Sequence, residues 1–192
     1  MELLEIWKGD AERSYVLVQA MPREENGFEN KAQGMSRKEY AEELIRLEDE
    51  SAGRNLAPGR VAATKFLIVN DEGDYVGILN LRHELTPALA QGAGHIGYAV
   101  APSWRGRGYA TEALGLALRM ARVRYGIGEA YLSVGHSRQK GQPESIMADS
   151  GCPGIRPKPR TSTSAGRSGY RLLLHCLLPG HPFHRCRHFL RR

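Results

Sequence analysis

The stretch Ser103–Leu114, SWRGRGYATEAL, interleaves two arginines with two glycines. It follows the apolar run His95–Val100 (HIGYAV) and precedes a helical pattern. From Thr111 to Arg124, residues Ala113, Leu114, Ala117, Leu118 and Ala121 trace one apolar stripe at helical spacing. A strand ending at Val100 and a helix opening between Gly108 and Thr111 leave a turn with a definite chemistry. The N–H groups of the first helical turn have no intrahelical acceptor, and the helix dipole favours an anion beside them. Gly106 and Gly108 lack Cβ atoms, so a ligand can approach the backbone closely. Arg105 and Arg107 add charge of the kind that suits phosphate oxygens. The turn therefore reads as a phosphate site, most naturally for a pyrophosphate. It is not a Walker loop, since G-x-x-x-x-G-K-[ST] is absent. Nor is it a clean dinucleotide fingerprint, since the third small position falls on Thr111.

Working outward, the rest of the first two-thirds of the chain is well patterned. Asp10 caps an expected first helix over Ala11 to Met21, ended by Pro22. The loop PREENGFENKAQG carries turn formers, with Phe28 its only large apolar residue. Ser36 with Glu39 fits a capping box opening a second helix, in which Tyr40, Leu44 and Leu47 recur at helical spacing. TKFLIVN and YVGILNLRHEL are strand-like runs joined by DEGD, a short glycine-containing hairpin loop. TPALAQGAG leads to the strand HIGYAV, and after the glycine-turn helix GIG precedes a further strand, EAYLSV. The order of helix, helix, antiparallel strands, helix and strand predicts an α+β or mixed α/β fold. A length of 192 residues suits one such domain.

The net charge of +6 is unevenly spread. Residues 1–128 carry −2 and residues 129–192 carry +8. All three cysteines (Cys152, Cys176 and Cys186) lie in the second part, and are expected as free thiols. No run approaches 18 uninterrupted apolar residues, so no membrane span is expected. The N-terminal MELLEIWKGD has neither the basic nor the long apolar region of a secretory signal, and the expected location is cytoplasmic.

Arg105-x-x-Gly108-x-Ala110 resembles the R/Q-x-x-G-x-G/A signature of the GNAT N-acetyltransferase superfamily. GHIGYAVAPSWRGRGYATEALGLAL is similar to the central strand, loop and helix of that fold, and FLIVNDEGDYVGILNLRHEL to the hairpin before it in a bacterial branch of the superfamily. ENGFEN and RLEDESAGRNLAPGRV resemble the same branch. The likeness covers residues 1 to about 134. It implies a mostly antiparallel central sheet with flanking helices, acetyl-CoA as acetyl donor, and a primary amine of a small molecule or protein as acceptor. It further implies that the backbone of Arg105, Gly106, Arg107, Gly108, Tyr109 and Ala110 binds the cofactor diphosphate. Val100 or a neighbour would then offer a backbone N–H to the thioester oxygen.

An attacking amine must lose a proton first. Glu84 and His83, after the second hairpin strand, are candidate bases, with His95 another. Tyr98 faces either substrate or core, because strand alternation fixes its side only relative to its neighbours. No residue matches the tyrosine that often reprotonates the leaving thiolate in this superfamily.

After Val134 the pattern stops, and residues 135–192 are expected as a basic, irregular tail rich in Pro, Gly, Arg and His. Only YRLLLHCLL forms a brief apolar run there. Read one nucleotide later, suitable codons for Lys140-Gly141-Gln142-Pro143 spell a segment resembling the missing family sequence, so a shifted reading frame is one expectation. His181, His184, Cys186 and His188 do not form a recognised zinc pairing, and no metal is expected. With few aromatics for base stacking, nucleic acid is not the expected partner, although a nucleic-acid-binding protein is the competing class. A member that binds acetyl-CoA without turnover is the other alternative, and exposed strand edges would permit a homodimer.

Overall fold

The computed structural model describes residues 1–25, 27–135, 155–158 and 169–175. The chain opens with a short strand β1 (Glu2–Glu5) and a 3-10 turn at Ile6–Lys8. Helix α1 (Ala11–Ala20) is capped by Asp10, whose carboxylate accepts from the Arg13 amide at 2.8 Å. A two-residue hairpin, β2 (Glu24–Glu25) with β3 (Phe28–Glu29), occupies the loop before α2 (Arg37–Ser51).

The capping box at α2 is complete. The Glu39 amide donates to Ser36 Oγ at 3.3 Å, and Glu39 Oε2 accepts from the Ser36 amide at 2.7 Å. These bonds satisfy two donors at the start of a helix that buries Tyr40, Glu43, Leu44 and Leu47. Ser36→Ala should therefore cost about 1 kcal/mol of stability in urea unfolding, with an unchanged dependence on denaturant. A change below ~0.3 kcal/mol would show that packing alone holds the helix end.

The hairpin β4 (Ala63–Val69) and β5 (Tyr75–Arg82) turns through Asn70–Asp74, where Gly73 has φ +81°. A short helix α3 (Pro87–Gln91) precedes β6 (Ile96–Val100). The long helix α4 (Tyr109–Tyr125) leads to β7 (Glu129–Gly135). Two further strands, β8 (Ile155–Lys158) and β9 (Gly169–His175), lie where the sequence pattern carried no countable periodicity. The frame-shift segment near Lys140 and the zinc candidates His181, His184, Cys186 and His188 lie outside the described residues.

The seven-stranded sheet runs β1-β4-β5-β6-β7-β9-β8, antiparallel throughout except between β6 and β7. Its middle strands are buried on both faces, which is why FLIV reads as a continuous apolar run rather than an alternation. Phe66, Ile68, Leu79, Leu81 and Ile96 pack on one face against Ala113, Leu114, Ala117, Leu118 and Ala121 of α4. Leu67, Val69 and Ile78 pack on the other against Leu17, Val18, Tyr40, Leu44 and Leu47 of α1 and α2. Among the described residues no helix is long and apolar enough to cross a membrane.

Candidate active site

Strand β6 holds its two neighbours very differently. Toward β5 it is paired over five positions, from Leu81↔Ile96 to Gly77↔Val100. Toward β7 the parallel ladder has one position, Ile96↔Leu132. Beyond that rung the two strands part.

The register decides which backbone groups face the parting. The Ala101 amide donates to the Val76 carbonyl at 2.9 Å, and the His95 carbonyl accepts from Arg82 at 2.8 Å. Alternation along an antiparallel strand then turns the amides of Gly97 and Ala99 to β5 as well, and those of Tyr98 and Val100 to the opposite edge. Two strand-edge donors thus open onto the gap between β6 and β7. The Val100 carbonyl is already taken, accepting from Arg105 Nε at 3.0 Å. What Val100 presents to the gap is a donor, suited to an incoming oxygen.

The glycine turn lies directly after this strand. Gly106 (φ +76°) and Gly108 (φ +87°) both adopt the left-handed region, and a Cβ built on either meets nothing within 4 Å. Their backbone therefore needs glycine, and the space in front of it is open. Among the described residues, the amides of Gly106, Arg107, Gly108, Tyr109 and Ala110 have no acceptor, whereas those of Thr111 and Glu112 both reach the Gly108 carbonyl. Five consecutive backbone donors are thus left open at the N-terminus of a 17-residue helix. That is an anion cradle, and it fits a diphosphate.

The two arginines divide the work unequally. Arg105 is a structural fork: besides Val100 it binds both carboxylate oxygens of Glu25, at 3.0 and 2.5 Å, tying the β2–β3 hairpin to the end of β6. Its side chain serves the scaffold, and its own amide reaches the Pro102 carbonyl at 3.4 Å. Of the six backbone donors expected for an anion, that of Arg105 is therefore engaged within the protein, and the open set begins at Gly106. Arg107 instead lies over the Trp104 ring, 4.9 Å from its centroid, with one weak bond to the Ser103 carbonyl at 3.4 Å. Trp104 also meets Tyr109 edge-on at 6.2 Å, bracing the turn. The tryptophan next to the RGRG run could have been flagged from sequence. Glu25, 80 residues from Arg105, could not.

The candidate bases are not brought to this turn. His83 stacks on Tyr125, the last residue of α4, at 3.9 Å, and its Nε2 meets Thr64 Oγ1 at 2.8 Å. Since Gly108 caps the other end of α4, His83 lies roughly 25 Å from the turn. Along the sheet it is about 20 Å from Gly77, the partner of Val100. Glu84 follows it, exposed. His95 is buried at the start of β6, where its amide donates to the Tyr131 carbonyl at 2.7 Å and its Nδ1 accepts from the Tyr131 amide at 3.1 Å. It stitches β6 to β7 just before they separate. Tyr98 packs with the α4-side core, and burial raises its phenol above the usual range.

Burial, and secondarily the charge of Arg124, hold the His83 imidazole below its ordinary range. A histidine that resists protonation when folded costs stability as pH falls through its unfolded value of about 6.5, where only the unfolded chain gains the proton. His83→Gln should flatten the fall in Tm between pH 7 and 5 and leave turnover within about twofold, as for a residue outside the reacting zone. A tenfold loss of turnover would return His83 to the chemistry.

Comparison with known proteins adds to this geometry. A family model described as Acetyltransferase (GNAT) family matches residues 29–143. Among solved structures, a GNAT-family acetyltransferase from Bordetella pertussis is 14% identical with a TM-score of 0.55, covering 90% of this chain and 93% of that one. A chimera of the spermidine N-acetyltransferase SpeG from Vibrio cholerae with hSSAT is 18% identical with a TM-score of 0.56, covering 91% and 95%. A point mutant of the Vibrio cholerae enzyme is 16% identical with a TM-score of 0.55, covering 91% and 94%. At these identities the likeness speaks for the fold. No match is found among curated proteins.

Proposed function

The chain belongs to the acetyltransferase (GNAT) family and takes acetyl-CoA as its donor; from that premise we propose that it acetylates a primary amine by direct attack at the parting of β6 and β7. The observation that carries this reading is the set of five unpaired amides at Gly106–Ala110 beside a strand whose next free donor is Val100.

Acetyl-CoA supplies an activated acyl group whose carbonyl carbon an amine can attack. The residues of this chain do the rest. The turn amides hold the diphosphate, and Arg107 brings a cation to the same rim. The Val100 amide receives the carbonyl oxygen as it gains charge, a donor aimed before the reaction begins. Arg105 keeps that amide in place by fixing the Val100 carbonyl on one side and Glu25 on the other. Positioning of this kind accounts for much of what such a site contributes.

No imidazole among the described residues flanks Val100, and the carboxylate tied to this rim, Glu25, is held by Arg105. Deprotonation of the amine is therefore assigned to water. Turnover at subsaturating amine should then rise close to tenfold per pH unit from pH 7 to 9, following the free-amine fraction of an acceptor with pKa near 10.4. A plateau below pH 8 would reveal an internal base.

The direct test follows thiol release from acetyl-CoA on adding primary amines, alongside calorimetry with coenzyme A. Thiol release coupled to an N-acetyl product supports the proposal. Failure of the chain to bind coenzyme A would overturn it. The panel includes polyamines, because solved structures of similar fold are spermidine N-acetyltransferases, together with primary amines that carry neutral and anionic groups.

A further inference from the structure

The face of the sheet toward α1 and α2 is sealed over most of its area, with Leu67 and Ile78 at 0% and 1% exposure. One row across it is open. Lys65 on β4 stands opposite Asn80 on β5, which stands opposite Gly97 on β6, and Arg82 lies two residues on from Asn80. Alternation places these four on the same face as Leu67 and Ile78, yet each remains partly exposed. A polar strip is an unusual choice for the middle of a sheet buried on both sides.

Its two cations are also unmatched. Among the described residues, neither Lys65 nor Arg82 has a carboxylate within ion-pair distance. Arg82, with five donors to place, gives one to the Gly94 carbonyl at 2.9 Å. The acids nearest in charge are otherwise engaged. Glu43 takes two bonds from Arg46, both at 2.6 Å, while Glu50 meets Arg46 at 2.8 Å and Arg60 at 3.9 Å. Burial pushes both Lys65 and Arg82 below their ordinary ranges, the mark of charge held without a full counter-charge. The groove of about 540 Å³ along α2 is a different surface, carrying the carboxylates of Glu42, Glu43, Asp49 and Glu50 against three cations, and neither Lys65 nor Arg82 lines it.

Resting on the acetyltransferase reading above, we infer that the acceptor carries an oxyanion group, carboxylate or phosphate, which Lys65 and Arg82 bind on this strip while its amine reaches the edge of β6. Gly97 sits at the far end of the row, next to Tyr98, whose amide faces the gap. Val100 lies two strand spacings across and three residues along from Lys65, roughly 14 Å between backbones, of which the lysine side chain covers part, so the acceptor holds its amine and its anion at opposite ends of a short chain. Purely cationic amines gain nothing from the strip and meet two like charges.

The test uses matched acceptors on the full chain with coenzyme A present: 6-aminohexanoate against hexylamine, 6-aminohexyl phosphate against 6-aminohexanol, and spermidine. Calorimetry reads binding, and thiol release from acetyl-CoA reads turnover. At least a tenfold preference for one anionic member over its neutral partner is expected, and which pair shows it distinguishes carboxylate from phosphate. Lys65→Met and Arg82→Met should each cut that preference below threefold, with Arg82→Lys, which retains the charge, keeping part of it and serving as the folded control. Equal binding within both pairs, tighter binding of spermidine, or a preference untouched by the variants overturns the inference. Amine turnover without anion preference leaves the acetyltransferase reading standing. Anion preference in a chain that fails to bind coenzyme A does the reverse.

Discussion

Replacing Gly108 with valine is expected to lower coenzyme A affinity by at least about 100-fold, near 2.7 kcal/mol, while the fold loses no more than about 2 kcal/mol. The two figures have separate origins. At φ +87° a β-branched residue is strained wherever it stands, which sets the cost to stability. A Cβ at this position meets no protein atom within 4 Å, so nothing in the fold is displaced. The added methyl groups instead stand in front of the amides of Gly108, Tyr109 and Ala110. Gly73 supplies the control, since it has φ +81°, equally open space, and a place in the β4–β5 turn. Gly73→Val should lose similar stability and keep its affinity. Equal losses of affinity in the two variants would mean that the turn binds nothing.

Gly77→Ala acts through close approach rather than backbone angle. A Cβ there would stand 2.4 Å from the Ala99 carbonyl oxygen and 3.1 Å from Val100 Cα. Both are backbone, so β5 and β6 must move apart at the position that aims the Val100 amide. A loss of about 1–3 kcal/mol is expected from overpacking. Turnover should fall by tenfold or more, since a misplacement near 1 Å can cost about 100-fold. Gly97→Ala, on the same pair of strands, brings its Cβ 3.5 Å from Phe28 and should leave stability within about 0.5 kcal/mol. Urea unfolding and thiol release measured on each variant separate the two effects. Full activity in Gly77→Ala would detach Val100 from the reaction.

The parts of this molecule that could be read in advance are those fixed by neighbours in sequence. The Ser36 capping box, the Asp10 cap, the β4–β5 hairpin and the glycine turn each rest on residues within five positions of one another. The apolar stripe of α4 could be counted because helix periodicity is local. Strand β1 escaped because four residues carry too little alternation, and it gains its place by pairing with β4 more than 60 residues away. Strand β9 was visible only as the apolar patch YRLLLH, without the turn signals that would mark it as a strand. The position of His83 depended on where β5 ends relative to α4, a matter of topology. Most of the site's geometry is of this second kind. The divergence of β6 from β7 after Ile96 and the Glu25–Arg105 fork are contacts between distant segments, and no spacing in the chain announces either.

Edge amides left open by that divergence also bear on the folding equilibrium. A molecule that meets them binds the folded chain and not the unfolded one, so its concentration adds RT ln(1 + [L]/Kd) to stability, about 2.7 kcal/mol at a hundredfold excess over Kd. The lifetime of this protein against unfolding is thereby linked by mass action to the supply of its acetyl donor, and starvation for that donor would leave it less robust as well as idle.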